Sequence, residues 1–199
     1  MEFRSNAPLV SDIQDLTKHY QSALPDCAFD RILVCATYEG RVEAAIHRFK
    51  YDRIRQEWRT FLPSLVEAFH VLDTTSEGVP VHYLVTWVPI GMLRFWTRGF
   101  NQAAILAQSL ARTTGQTPIK CLTRRGSRKH QAHLNAKERL QNTKNVFQPI
   151  PGLSSRVQGK EVLLVDDVIS TGATANECAK LLKHAGATKV TGIFLARSE

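Results

Sequence analysis

The last forty residues constrain the fold more than any other stretch. From position 161 the chain reads EVLLVDDVISTGATANECAKLLKHAGATKVTGIFLARSE. The apolar run at 161–165 suits a buried strand, and the small residues from Ser170 to Thr174 suit a tight loop. Ala175, Cys178, Leu181, Leu182 and Ala185 then recur at helical spacing, and Gly186 supplies a left-handed stop. Residues 190–196, VTGIFLA, are apolar almost throughout, as a parallel strand covered on both faces must be. Strand, helix and strand in this order form a βαβ unit, which requires a parallel sheet.

The preceding sequence supplies further elements of the same kind. Val42, Ala45, Ile46 and Phe49 fall at i, i+3, i+4 and i+7, as do Trp58, Leu62, Leu65 and Phe69, so two amphipathic helices are expected. Residues 74–78 break the pattern, and 83–89, YLVTWVP, read as a buried strand. A helix follows from near Asn101, with Ala104, Ala107 and Ala111 on one side, and ends at Gly115. Residues 118–122 form a short candidate strand, and 134–142 a short candidate helix. The first thirty residues have few periodic apolar positions and read as a variable, loosely structured lead-in with at most one short helix. The expected architecture is a single α/β domain over 31–199, an open parallel sheet covered by helices on both faces. A chain of 199 residues, 43% hydrophobic and 22% charged, buries enough surface for one such domain.

Several function classes fall away on composition. The N-terminus lacks the apolar stretch of a signal peptide, and the most apolar region, 79–95, is interrupted by His82, Pro80, Pro89, Gly91 and Arg94. No membrane association is expected, and a cytoplasmic location follows. Cys27, Cys35, Cys121 and Cys178 form no paired zinc or disulfide pattern. His130 and His133 lack a Cys or carboxylate companion nearby, so no metal site is assigned to them. There is neither a G-x-x-x-x-G-K-[ST] nor a G-x-G-x-x-G motif, which sets aside P-loop ATPases and dinucleotide binders. The net charge of +8 favours an anionic ligand or partner. Much of it lies in 120–139, where seven Lys or Arg face one acid, Glu138.

In an open parallel sheet, ligands bind beyond the carboxyl ends of the strands. That position here holds Asp166 and Asp167, followed by Ser170, Thr171, Gly172, Ala173 and Thr174. A small-residue loop opening a helix offers backbone N–H groups and the positive end of the helix dipole to a phosphate. Paired carboxylates facing that phosphate would repel it, so they suit the hydroxyls of an adjoining ribose, or a metal reached through water. The plainer alternative has the acids capping the helix and the loop as an ordinary turn. Two acids directly after an apolar run are a poor choice for capping alone.

The strand, the Asp-Asp pair and the S-T-G-A-T loop resemble the phosphoribosyl pyrophosphate signature of type I phosphoribosyltransferases. VPIGMLRFWTRGFNQAAILAQSLA at 88–111, LNAKERLQNTKNVF at 134–147 and YEGRVEAAIHRFKY at 38–51 resemble the ComF family of competence-associated phosphoribosyltransferase-like proteins. The four-cysteine zinc-binding segment that often opens ComF-type chains is absent from residues 1–30, and 129–133 read KHQAH where a threonine-containing stretch is expected.

The resemblance implies a Rossmann-like fold that binds phosphoribosyl pyrophosphate with magnesium, the ion carried by the substrate without direct protein ligands. It implies Asp166 and Asp167 as catalytic residues at the ribose hydroxyls, and Val168, Ser170, Thr171, Gly172, Ala173 and Thr174 as ligand contacts around the 5-phosphate. Arg94, Arg98 and Gly99 would lie near the pyrophosphate. Arg124, Arg125, Arg128, Lys129, Lys137 and Arg139 would form a basic lid, against the alternative of a solvated charged loop. Phe100, Asn101 and Gln102 are either ligand contacts or packing and cap residues. Two functions are compatible with this: a phosphoribosyltransferase with an unidentified base or amine acceptor, or an accessory factor of DNA uptake, natural transformation or repair that engages DNA or a helicase, with the sugar phosphate as regulator. A third is an unrelated α/β phosphate binder. Residues 120–139 contain no aromatic stacking residues, whereas Phe95 and Trp96 stand beside Arg94 and Arg98.

Overall fold

The structure, a computed structural model, describes residues 13–51, 58–73, 81–125 and 146–198. Its centre is a six-stranded sheet in the order β1-β2-β8-β7-β3-β4. β7 (Glu161–Ile169) lies between β8 (Lys189–Arg197) and β3 (Tyr83–Trp87), parallel to both. β2 (Arg31–Val34) and β4 (Thr117–Pro118) extend the parallel sheet on either side, and β1 (Gln14–Asp15) closes one edge antiparallel to β2. The sheet is thus mostly parallel and open, as the βαβ unit requires.

Alternation along the strands divides the core in two. Leu163 and Val165 of β7, Ile193 and Leu195 of β8 and Val85 of β3 face one side. That side is covered by α2 (Gly40–Tyr51), α3 (Trp58–Asp73) and α5 (Gln102–Thr113) through Ile46, Phe49, Leu65, Phe69, Leu106 and Leu110. Val162, Leu164, Val190 and Phe194 face the other, beneath α7 (Ala173–His184), α6 (Leu153–Val157) and Tyr20 of α1 (Thr17–Ala23). Helices therefore cover both faces. At Gly192 a Cβ would stand 2.6 Å from the Phe194 ring and 3.0 Å from that of Phe29, so only glycine fits this core strand. No described helix is long and apolar enough to cross a membrane.

The structure departs from the sequence expectations in four places. β7 does not stop at Val165: β8 runs beside it to Arg197, and the pairings Val168↔Ala196 and Ile169↔Arg197 carry the strand through both aspartates. The candidate strand at 118–122 is divided between β4 and β5 (Leu122–Arg124), which pairs antiparallel with β6 (Phe147–Pro149) in a separate two-stranded sheet. Residues 92–98, between the strand expected at 83–89 and the helix expected from near Asn101, form a further helix, α4 (Met92–Arg98), stopped by Gly99 at φ 77°. Within the first thirty residues, β1 and α1 pack onto the sheet, and Tyr20 is fully buried. The helix expected at 134–142 lies outside the described residues.

Candidate functional site

At the carboxyl end of β7 the chain turns through Ser170 to Gly172 and enters α7. Gly172 sits at φ 75°, a left-handed conformation that L side chains adopt only with strain. A Cβ there would also stand 2.9 Å from the Tyr20 ring and 3.0 Å from Leu24, so α1 closes the space behind the turn. The Tyr20 hydroxyl donates to the Ser170 carbonyl at 2.9 Å. The N-cap glycine has no side chain to cap the helix, Thr171 Oγ1 accepts the Ala173 N–H at 3.4 Å, and no acid lies in the first turn of α7, so its positive end carries no counter-charge of its own.

This turn forms one wall of a cleft of about 360 Å³. Asp166, Asp167, Val168, Ser170, Thr171, Gly172, Ala173 and Thr174 all line it. Arg94 and Arg98 of α4 line it as well, with Arg124 of β5. Gly99 does not; it ends α4, its N–H donating to the Phe95 carbonyl at 2.7 Å. Arg125 also stays outside, its N–H bonded to the Val146 carbonyl at 2.8 Å. Arg128, Lys129, Lys137 and Arg139, with His130 and His133, lie outside the described residues. Asn101 and Gln102 line the cleft, and the Asn101 side chain caps α5 by accepting from the Ala104 N–H at 3.4 Å, while Phe100 is buried in the core.

The two carboxylates are held differently. The Asp167 carboxylate pairs with the Lys50 ammonium group at 3.0 Å and accepts the Val168 N–H at 2.8 Å. Asp166 accepts the Asp167 N–H at 2.9 Å. Burial pushes the Asp166 carboxyl well above the usual carboxylate range and the Asp167 charge adds to this, while the Asp167 N–H, Lys50 and Arg94 oppose it. Arg124 is shifted downward by burial and then by the charge of Arg94, so two cations share one wall. Arg98 donates to the Tyr51 hydroxyl at 3.1 Å and to Gln102 Oε1 at 3.4 Å. Its Nε and Gln102 Nε2 are buried without a hydrogen-bond partner among the described residues, an unfavourable state that polar occupancy nearby would relieve.

Sequence reasoning did not find Lys50 or Tyr20. Both reach the site from other elements, and neither carries a local motif. Chemically, the cleft combines a helix terminus without an acidic side chain, a carboxylate pair and three arginines, which suits a ligand with anionic groups at two ends and hydroxyls between.

The chain from 97 to 198 matches the phosphoribosyl transferase domain family. It is 35% identical over 173 residues to DNA utilization protein YhgH of Escherichia coli K12, covering 85% of this chain and 73% of that protein. It is 31% identical over 192 residues to competence protein F of Haemophilus influenzae, covering 94% and 82%. Adenine phosphoribosyltransferase from Saccharomyces cerevisiae superposes with a TM-score of 0.41 at 18% identity, covering 69% of this chain and 68% of that one. Sequence kinship of this extent, over a parallel sheet whose central strand ends in the paired aspartates and small-residue turn, means that the chain belongs to the ComF family and carries its phosphoribosyl transferase domain.

Proposed function

We propose that the cleft binds phosphoribosyl pyrophosphate with magnesium and that the protein is a phosphoribosyltransferase. The observation that carries this reading is the convergence of the acid-free α7 N-terminus, the Asp166–Asp167 pair and Arg94, Arg98 and Arg124 on one cleft. The 5-phosphate would sit on the turn from Ser170 to Thr174, the ribose hydroxyls on the carboxylates, and the pyrophosphate toward the arginines. In the reaction, the bond from the anomeric carbon to pyrophosphate breaks, a bond to an acceptor nitrogen forms, and the acceptor releases a proton. Arginines facing the departing pyrophosphate stabilise charge that grows in the transition state.

The donor set fits magnesium carried by the substrate. No group of three or more His, Cys, Asp or Glu side chains that could cage a metal occurs among the described residues. Magnesium keeps most of its waters and takes oxygens from phosphates, and the two aspartates would meet it through water. Bound there, it would neutralise pyrophosphate charge.

Calorimetric titration with phosphoribosyl pyrophosphate, with and without magnesium, tests the assignment. The Asp166→Asn/Asp167→Asn variant should bind at least roughly tenfold more weakly, a loss expected when hydrogen-bonding charged groups are removed. Equal binding by variant and wild type removes the site. A pyrophosphate-release screen over bases and amines then identifies the acceptor.

A second reading, an accessory role in DNA handling, is favoured by one specific observation. α4 holds Leu93 79% exposed and Trp96 76% exposed, with Met92 and Phe95 also open, next to Arg94 and Arg98. Exposed rings beside cations suit stacked bases or a protein partner. The relatives' names, a DNA utilization protein and a competence protein, are consistent with it.

A further inference from the structure

Lys50 is the cleft residue whose function the phosphate and ribose contacts leave unexplained. It lies in the last turn of α2, a helix anchored in the core by the buried Ala45, Ile46 and Phe49. Its ammonium group lies 3.0 Å from the Asp167 carboxylate and 6.0 Å from the centroid of the Tyr38 ring. Only 15% of the Lys50 side chain and 13% of the Asp167 side chain are exposed. The pair is therefore screened far less than an ion pair on the surface.

Consecutive strand residues point to opposite faces. Asp167 meets Lys50 of α2 on one face, whereas Asp166 lies near Cys178 of α7 on the other. The charged groups around Asp167 are Lys50 and Asp166; those around Asp166 are Asp167, Lys50 and Arg94, with the Cys178 thiol also near it. Without Lys50, two neighbouring carboxylates would confront an arriving polyanion. An ion pair kept only for stability could be replaced by packed apolar side chains at little cost, and has no reason to line a ligand cleft.

We propose that Lys50 is a positioning residue for the sugar: its ammonium group neutralises Asp167 and keeps that carboxylate turned toward the cleft, so that the acid pair accepts ribose hydroxyls instead of repelling the ligand. This rests on the sugar-phosphate reading of the cleft. Its action is on the ribose end. Loss of Lys50 must weaken ribose 5-phosphate as well as phosphoribosyl pyrophosphate.

The test uses Lys50→Met and Lys50→Arg in the full chain, without magnesium, after thermal melting has shown both variants folded. Calorimetry should show both ligands weakened roughly tenfold in Lys50→Met and by less than about threefold in Lys50→Arg, which keeps the charge. A wild-type protein that binds neither ligand sinks the reading of the site, and this inference with it. Wild-type binding together with unchanged affinities in Lys50→Met, an equal loss in Lys50→Arg, or a loss confined to the pyrophosphate-bearing ligand overturns the inference alone. Should Lys50→Met fail to fold, Lys50→Gln takes its place under the same criteria.

Discussion

Asp166 carries the least favourable charge of the cleft, and this has a consequence for stability. Burial and the neighbouring Asp167 raise its pKa above the ordinary 3.8, so the folded protein holds this proton at pH values where the unfolded chain has lost it. The stabilising contribution is therefore complete below pH 3.8 and disappears as pH rises through the folded-state value. Burial thus disfavours the charged form of this group in the folded protein. Asp166→Asn should accordingly raise the melting temperature at pH 7 while it weakens phosphoribosyl pyrophosphate, a trade between stability and function. A lowered melting temperature at pH 7 would contradict the sign. Gly172 gives a second prediction. Gly172→Ala costs about 1–2 kcal/mol for the left-handed conformation alone, and more for the contact with Tyr20. Combining it with Tyr20→Ala should remove the contact cost and leave the conformational one, a coupling that denaturant melts of the double-mutant cycle will measure. These two residues were legible in the sequence because their chemistry is local: paired acids after an apolar run, and a glycine in a small-residue turn. Lys50 was not, because HRFKY reads as any helix end until the sheet brings Asp167 beside it.

At the scale of elements, α1 does more than precede the domain. Its Tyr20 hydroxyl holds the Ser170 carbonyl, and its Tyr20 and Leu24 side chains fill the space behind Gly172. Asn176 of α7 strengthens the same link by accepting the Ala28 N–H at 2.8 Å. The turn expected to seat the 5-phosphate is thus clamped from behind. Tyr20→Phe should cost about 1 kcal/mol of stability, the net value of one hydrogen bond. It should also weaken ribose 5-phosphate and phosphoribosyl pyrophosphate while leaving free pyrophosphate unaffected, which parallel calorimetric titrations would show. The βαβ unit was readable because its strands are long and apolar and its helix is strongly periodic. β2 is four residues and β1 two, too short for periodicity to register, and both exist through pairing with distant strands. α4 escaped detection because MLRFWTR places large apolar residues on its solvent side, opposite to the usual pattern of a surface helix.

For the molecule as a whole, the question is how a chain of net charge +8 divides its cations between ligands. α4 presents Arg94 and Arg98 to the cleft while Leu93 and Trp96 remain open to solvent. A small ligand and an extended nucleic acid would draw on the same two arginines from opposite sides of one short helix. On the accessory reading, occupation of the cleft by phosphoribosyl pyrophosphate commits those guanidinium groups and withdraws them from any strand stacked on Trp96. Saturating phosphoribosyl pyrophosphate should therefore weaken binding of a fluorescent oligothymidine, and the oligonucleotide should weaken the sugar phosphate by the same factor, since linkage is reciprocal. Trp96→Ala should reduce oligonucleotide affinity by about 1–3 kcal/mol and leave the sugar phosphate unchanged. Anisotropy titrations at fixed salt measure both, with salt held constant because counterion release alone changes nucleic-acid affinity steeply. If the oligonucleotide binds and its affinity does not respond to the sugar phosphate, α4 does not join the two surfaces, and the cations engaged by nucleic acid lie elsewhere on the chain.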